Sequence, residues 1–152
     1  FLRVRTMRTT IVRAGFRRFH RLPLRWSDNN AQGVVKHTVY YDLMDTALAE
    51  FMSQECPDLY PSSDDDVRPR ILNSTCSFAK DITFPDTLHV DVGLAANKVS
   101  NSCCVFTIGV FGADHNEAAS VGSITQVWTR GGKPSDVPPE IRKIARSLVN
   151  NR

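Results

Sequence analysis

Side chains able to do chemistry sit in a few short stretches of this chain. Residues 1–27 hold eight arginines, no lysine and no acid. So dense a cationic run favours a polyanion such as RNA, which makes Arg3, Arg5, Arg8, Arg13, Arg17 and Arg18 candidate contacts. Asp64, Asp65 and Asp66 stand in a row in a proline-bounded loop. No turn glycine or distal Glu gives them calcium-loop spacing, so they read as a solvated loop, and no metal is expected. Ser74, Thr75 and Ser77 are candidates to hold a nucleophilic water and otherwise read as plain sheet residues. The four cysteines, Cys56, Cys76, Cys103 and Cys104, contain no C-x-x-C spacing. That argues against a zinc ribbon or a disulfide scaffold, and they read as reduced small hydrophobes. The polar run Asp28-Asn29-Asn30-Ala31-Gln32-Gly33 is a turn by composition.

These stretches need a body to position them. At 152 residues the chain is one domain of ordinary size. Its 41% hydrophobic and 23% charged residues are globular proportions, not those of a disordered chain. No apolar run approaches the ~18–20 residues of a bilayer span, so no membrane span is expected. The net charge of +3 hides a split: a +8 segment over residues 1–27, then a body where eleven Lys and Arg face all sixteen acids. The arginine-rich, acid-free start has the composition of a mitochondrial transit peptide, which implies a mitochondrial location. The first residue is Phe1, as expected of a processed or trimmed N-terminus. Residues 1–17 are expected to form a basic extension, disordered unless something outside the domain holds it, and residues 18–152 the domain.

Within the body, Phe19–Trp26 reads as a first strand, with Pro23 placing it at an edge. From about Thr38 to Gln54, Val39, Leu43, Ala47 and Phe51 recur every four residues, flanked by Tyr40, Met44 and Leu48. That is a helix with a broad apolar face, and Asp42, Asp45 and Ser53 lie on its solvated side. Strands follow over Arg70–Lys80, Thr87–Val99, Ser102–Phe111 and Ala118–Arg130, and Gly131-Gly132 ends the last of them. In the second, Leu88, Val90, Val92 and Leu94 alternate with His89, Asp91 and Gly93. Pro138-Pro139 opens a short helix to about Val149. Hairpin-connected strands imply an antiparallel sheet, and the single long helix must lie on it to bury its face. The expected fold is α+β: about five antiparallel strands wrapped on one long helix, with a short C-terminal helix.

The stretch RWSDNNAQGVVKHTVYYDLMDTALAEFM, residues 25–52, resembles the signature of hotdog-fold acyl-CoA thioesterases of the 4-hydroxybenzoyl-CoA thioesterase type. That signature runs Asp-x-Asp-x-x-Gly-x-Val, then an aromatic or His, then a Tyr entering the long helix. Asp28, Gly33, Val35, His37 and Tyr40 match it. CSFAKDITFPDTLHVDV and TQVWTRGGKPSDVPPEIR resemble two downstream segments of the family, so the resemblance covers roughly residues 18–149. It implies a hotdog fold, pairing with itself or another hotdog chain, and hydrolysis of an acyl-CoA thioester without a cofactor. The catalytic positions would be Asn30, Asp28 and His37, and the substrate-binding ones Gly33, Val35 and Tyr40. The start of the long helix would present backbone N–H groups to the thioester oxygen.

One departure bears on activity. The second Asp of the signature is Asn30 here, and a neutral amide cannot take a proton. Losing a general base costs about 10²–10⁴-fold in rate, so hydrolysis is expected to be weak or lost. Asp42 and Asp45 lie on the helix, where some hotdog enzymes place a catalytic carboxylate. The alternative function is a non-catalytic structural subunit of a large mitochondrial assembly such as the mitoribosome. Its arginine-rich tail would then dock on RNA or partner proteins.

Overall fold

The computed structural model describes residues 10–59 and 67–150. Six strands form one antiparallel sheet: β1 (Arg18–Pro23), β2 (Arg68–Phe78), β3 (His89–Val99), β4 (Cys103–Gly112), β5 (Ser120–Arg130) and β6 (Lys133–Ser135). The order across the sheet is β1-β3-β4-β5-β2, with the short β6 paired to β5. The long helix α1 (His37–Glu55) lies on its inner face, and a short helix α2 (Pro139–Ser147) follows the last strand. This is the expected α+β architecture, with β6 added. Gly131 and Gly132 both adopt positive φ. They do not merely end β5: they reverse the chain so that Lys133–Ser135 pairs with Trp128–Arg130.

α1 buries Tyr40, Leu43, Met44, Ala47, Leu48, Phe51 and Met52, a stripe at helical spacing. Facing it are alternate residues of the strands, among them Val90, Val92, Leu94, Phe106, Ile108 and Val110. Each such side chain contributes about 1.5–3 kcal/mol by leaving water.

The sheet also has a buried outer face, which alternation within β3 did not predict. Asp91, Gly93 and Ala95 point away from α1 yet are buried. The cause is the segment before β1. Phe16 packs with Ala95, Phe111 and Ala118 in a second small core, its ring edge-on to Phe111 at 5.5 Å. A Cβ on Gly93 or Gly109 would come within 3 Å of that ring, so the two glycines form its seat. Backbone bonds from Arg17 N to Leu94 O and from Ala118 N to Ile11 O fasten the segment on either side. The Arg13 guanidinium lies near the faces of Phe19 and Phe111 and donates to Asp91 Oδ2 at 2.9 Å, while Arg21 donates to both oxygens of Asp91. The hydrogen bond from Arg21, joined by that from Arg13 and by both charges, outweighs burial and holds the Asp91 carboxyl below the usual aspartate value. A further difference lies at Trp26. It falls outside β1, in a 3₁₀ turn over Trp26–Asp28, and is 76% exposed.

Candidate functional site

The polar run Asp28–Gly33 forms a loop leading directly into α1, and three consecutive side chains each hold a different part of it. Asp28 ends the 3₁₀ turn and is buried. Its Oδ2 accepts the Arg25 N–H at 2.8 Å and its Oδ1 accepts from the Arg25 guanidinium at 3.3 Å. Its carbonyl accepts the Lys36 amide. Asn29 reaches sideways to the turn between β2 and β3. There its Nδ2 donates to Phe84 O at 2.9 Å and its Oδ1 accepts Phe84 N–H at 3.3 Å. Asn30 folds back on the loop, its Oδ1 accepting the amides of Gln32 at 2.9 Å and Val34 at 3.3 Å. The Asn30 Nδ2 donates to Gln32 Oε1.

Gly33 has φ +79°, and a Cβ added there would meet nothing within 4 Å. Its role is therefore the left-handed turn itself, closed by its amide on Asn30 O, and not a close approach to a neighbour. Val35 is buried in the main core, and its amide bonds to Ile82 O. His37 is the first residue of α1 and is exposed. Among the described residues, the His37 and Thr38 amides have no backbone acceptor, as the first turn of a helix requires. Two such donors, at the positive end of the helix dipole, can polarise a carbonyl placed against them.

Tyr40 lies one turn further and is buried, its ring edge-on to Phe78 at 5.3 Å. Burial, reinforced by Asp81, pushes its phenol up to about 12, so it stays a neutral donor. Cys76 Sγ is 2.9 Å from Ser120 Oγ, and that hydroxyl donates its one proton to Ser77 O. The thiol must then be the donor in the pair. Burial pushes its pKa up as well, so Cys76 is not a thiolate nucleophile.

The structure brings Asp28, Asn30, Gly33 and His37 into one loop and helix start, with Val35 and Tyr40 beneath them in the core. Asp42 and Asp45 are exposed on α1 and look onto grooves flanking it. One of ≈ 280 Å³ runs beside β2 and includes Asp45, Met44, Ile71 and Ser74. The other, also ≈ 280 Å³, runs beside β1 and includes Asp42, Arg25, Asp28 and Leu43. Thr75 is a sheet residue, its hydroxyl 2.9 Å from that of Ser123. Of the basic candidates, Arg13 is engaged with Asp91 and Arg18 with Glu55, while Arg17 is exposed. Arg3, Arg5, Arg8 and Asp64–Asp66 lie outside the described residues. Sequence reasoning missed the Asn29 clamp; the one available signal was a second carboxamide in a turn that needs only one.

The thioesterase superfamily model matches residues 32–119, more than half of the chain. The chain belongs to the thioesterase superfamily. A protein of Pseudomonas aeruginosa strain PAO1 has a similar structure, with a TM-score of 0.86 at 22% identity over 94% of this chain and 99% of that one. A Thermus thermophilus thioesterase complexed with coenzyme A and zinc is similar at TM-score 0.74 and 23% identity, over 88% and 95% of the two chains. A gentisyl-coenzyme A thioesterase is similar at TM-score 0.71 and 18% identity, over 84% and 99%. At these identities the likeness establishes the hotdog fold. The family match begins at Gln32, two residues after Asn30.

Proposed function

We propose that this hotdog protein binds an acyl-CoA thioester at the start of α1 and hydrolyses it weakly or not at all. The observation that carries this reading is the state of Asn30. Its oxygen already accepts two loop amides, and an amide has no proton affinity to offer an attacking water. Asp28, the next carboxylate, is buried and held by Arg25. The His37 and Thr38 amides would polarise the thioester carbonyl, and without a base the water stays unactivated. His37, exposed on the same turn, is the remaining side chain of the three expected catalytic positions. Calorimetric titration with a non-hydrolysable thioether analogue of an acyl-CoA tests the binding half: saturable binding is expected, and its absence would contradict the reading.

The same proposal includes pairing. β2 is an edge strand, and Ile71, Leu72 and Phe78 are exposed on it, Leu72 at 69%. An apolar open edge of this kind favours another hotdog chain. A wild-type dimer by light scattering that becomes monomeric in Leu72→Lys is the expected result. A wild-type monomer would contradict it. Mitochondrial placement rests on the composition of residues 1–27. The structural-subunit alternative, with the basic segment on RNA or protein, keeps Arg3, Arg5, Arg8 and Arg17 as contacts, because Arg13 and Arg18 are engaged within the fold.

A further inference from the structure

Asn29 differs from its two neighbours in where its side chain goes. Asp28 and Asn30 close the loop on itself, whereas Asn29 crosses to a residue 55 positions away. Both functions of its carboxamide meet one residue: the N–H donates to Phe84 O and the oxygen accepts Phe84 N–H. A single hydrogen bond fixes a distance; a forked pair on a planar group fixes orientation as well.

The platform it grips is itself held. Thr83 Oγ1 donates to Asp86 Oδ2 at 2.9 Å, the Thr87 amide bonds to Thr83 O, and the Leu24 amide bonds to Leu88 O. The loop touches the same turn again at its far end, where the Val35 amide donates to Ile82 O at 2.8 Å. Asn29 and Val35 also bridge to each other. Both ends of the loop are thus pinned to residues 82–84, and α1 begins two residues beyond the second pin.

We infer that Asn29 is a positioning residue for the thioester site, aiming the His37 and Thr38 amides through Val35 and the turn at 82–84 without touching the substrate. The inference rests on the function proposed above for those amides. Its physical weight comes from geometry, since a misplacement of ~1 Å in a group that polarises a carbonyl can cost about 10²-fold in rate.

Amide NMR of the full chain tests the positioning whatever the activity. In Asn29→Ala, the amides of His37 and Thr38 should shift together with those of Phe84 and Val35, while Ser53 and Gln54 at the far end of α1 stay in place. Shifts confined to residues 28–30 and 84 would overturn the inference, as would a lowered melting temperature with His37 and Thr38 unmoved. Asn29→Asp supplies a rescue. Its carboxylate lacks the donor to Phe84 O, but below an ordinary aspartate value of about 4 it is protonated and regains one. The His37 and Thr38 shifts should then return toward those of wild type at the same pH, and no return would count against the inference. The kinetic arm uses Asn30→Asp as background, where Asn29→Ala should lower kcat by about 10–10²-fold with KM nearly unchanged. An unchanged kcat would overturn the inference. Should Asn30→Asp itself be inactive, the hydrolytic reading fails, and the amide shifts decide the positioning alone.

Discussion

Asp91 on the outer face of the sheet and the Asp28-Asn29-Asn30 loop on the inner side are both sites where carboxyl or carboxamide oxygens are withdrawn from water. The chain satisfies them by opposite means. Asp91 receives two full cations, Arg13 and Arg21, from segments 78 and 70 residues away, and Arg13 ties the segment before β1 to β3. The loop oxygens receive mostly backbone amides from within a few residues, or from one facing turn. The first arrangement supplies strength and the second supplies shape. The best-held carboxylate of this comparison is a structural clasp, and Asn30 is a neutral loop-former.

The largest effect should come from breaking the clasp. Asp91→Ala leaves Arg13 without its carboxylate beside Phe19 and Phe111. A loss of about 2–4 kcal/mol in denaturant unfolding is expected, discounted from a fully buried pair because Arg21 is half exposed. A loss near zero would mean that the clasp is idle. The pH dependence sharpens the point. Asp91 has a lowered folded pKa, so its stabilisation is complete above the ordinary aspartate value of about 4 and lost as pH falls through the lower folded value. Wild type should therefore lose stability more steeply than Asp91→Asn below about pH 4. Parallel curves would contradict the assignment.

Within the loop the expected effects are smaller. Asp28→Ala removes the acceptor of the Arg25 amide, a cap-like bond whose loss costs about 1–2 kcal/mol. Gly33→Ala meets no neighbour but must hold a left-handed φ, which costs about 1–2 kcal/mol. Melting curves resolve both, and a Gly33→Ala protein as stable as wild type would show that the loop can change shape freely.

The same contrast separates what the sequence could disclose from what it could not. α1 was legible to within a residue at each end, because Leu43, Ala47 and Phe51 repeat at the spacing of a buried helix face. The strands of the sheet were legible because turn residues punctuate apolar runs, and the order of elements was enough for the architecture. Phe16 was not legible. It sits among arginines that read as a tail, and its seat is two glycines on strands far along the chain. For that reason β3 read as half-exposed, although Asp91 is 6% exposed. At the site, the resemblance set Asn30 against the second Asp of the signature, but the hydrogen bonds of Asn30 were not legible. The Asn29 clamp depends on where residues 82–84 fold back, which no local pattern encodes.

Turnover of acyl-CoA substrates by wild type and by Asn30→Asp is the most direct test of the central claim. In the variant, one carboxylate oxygen can keep the Gln32 and Val34 amides and the other is left to act as a base on the loop that leads into His37 and Thr38. Wild type is expected to show little hydrolysis, and Asn30→Asp to raise it by about 10²-fold or more. Wild-type turnover in the ordinary range of ~1–10³ s⁻¹ would contradict the claim and direct attention to Asp42, Asp45 or His37 as the group that activates water.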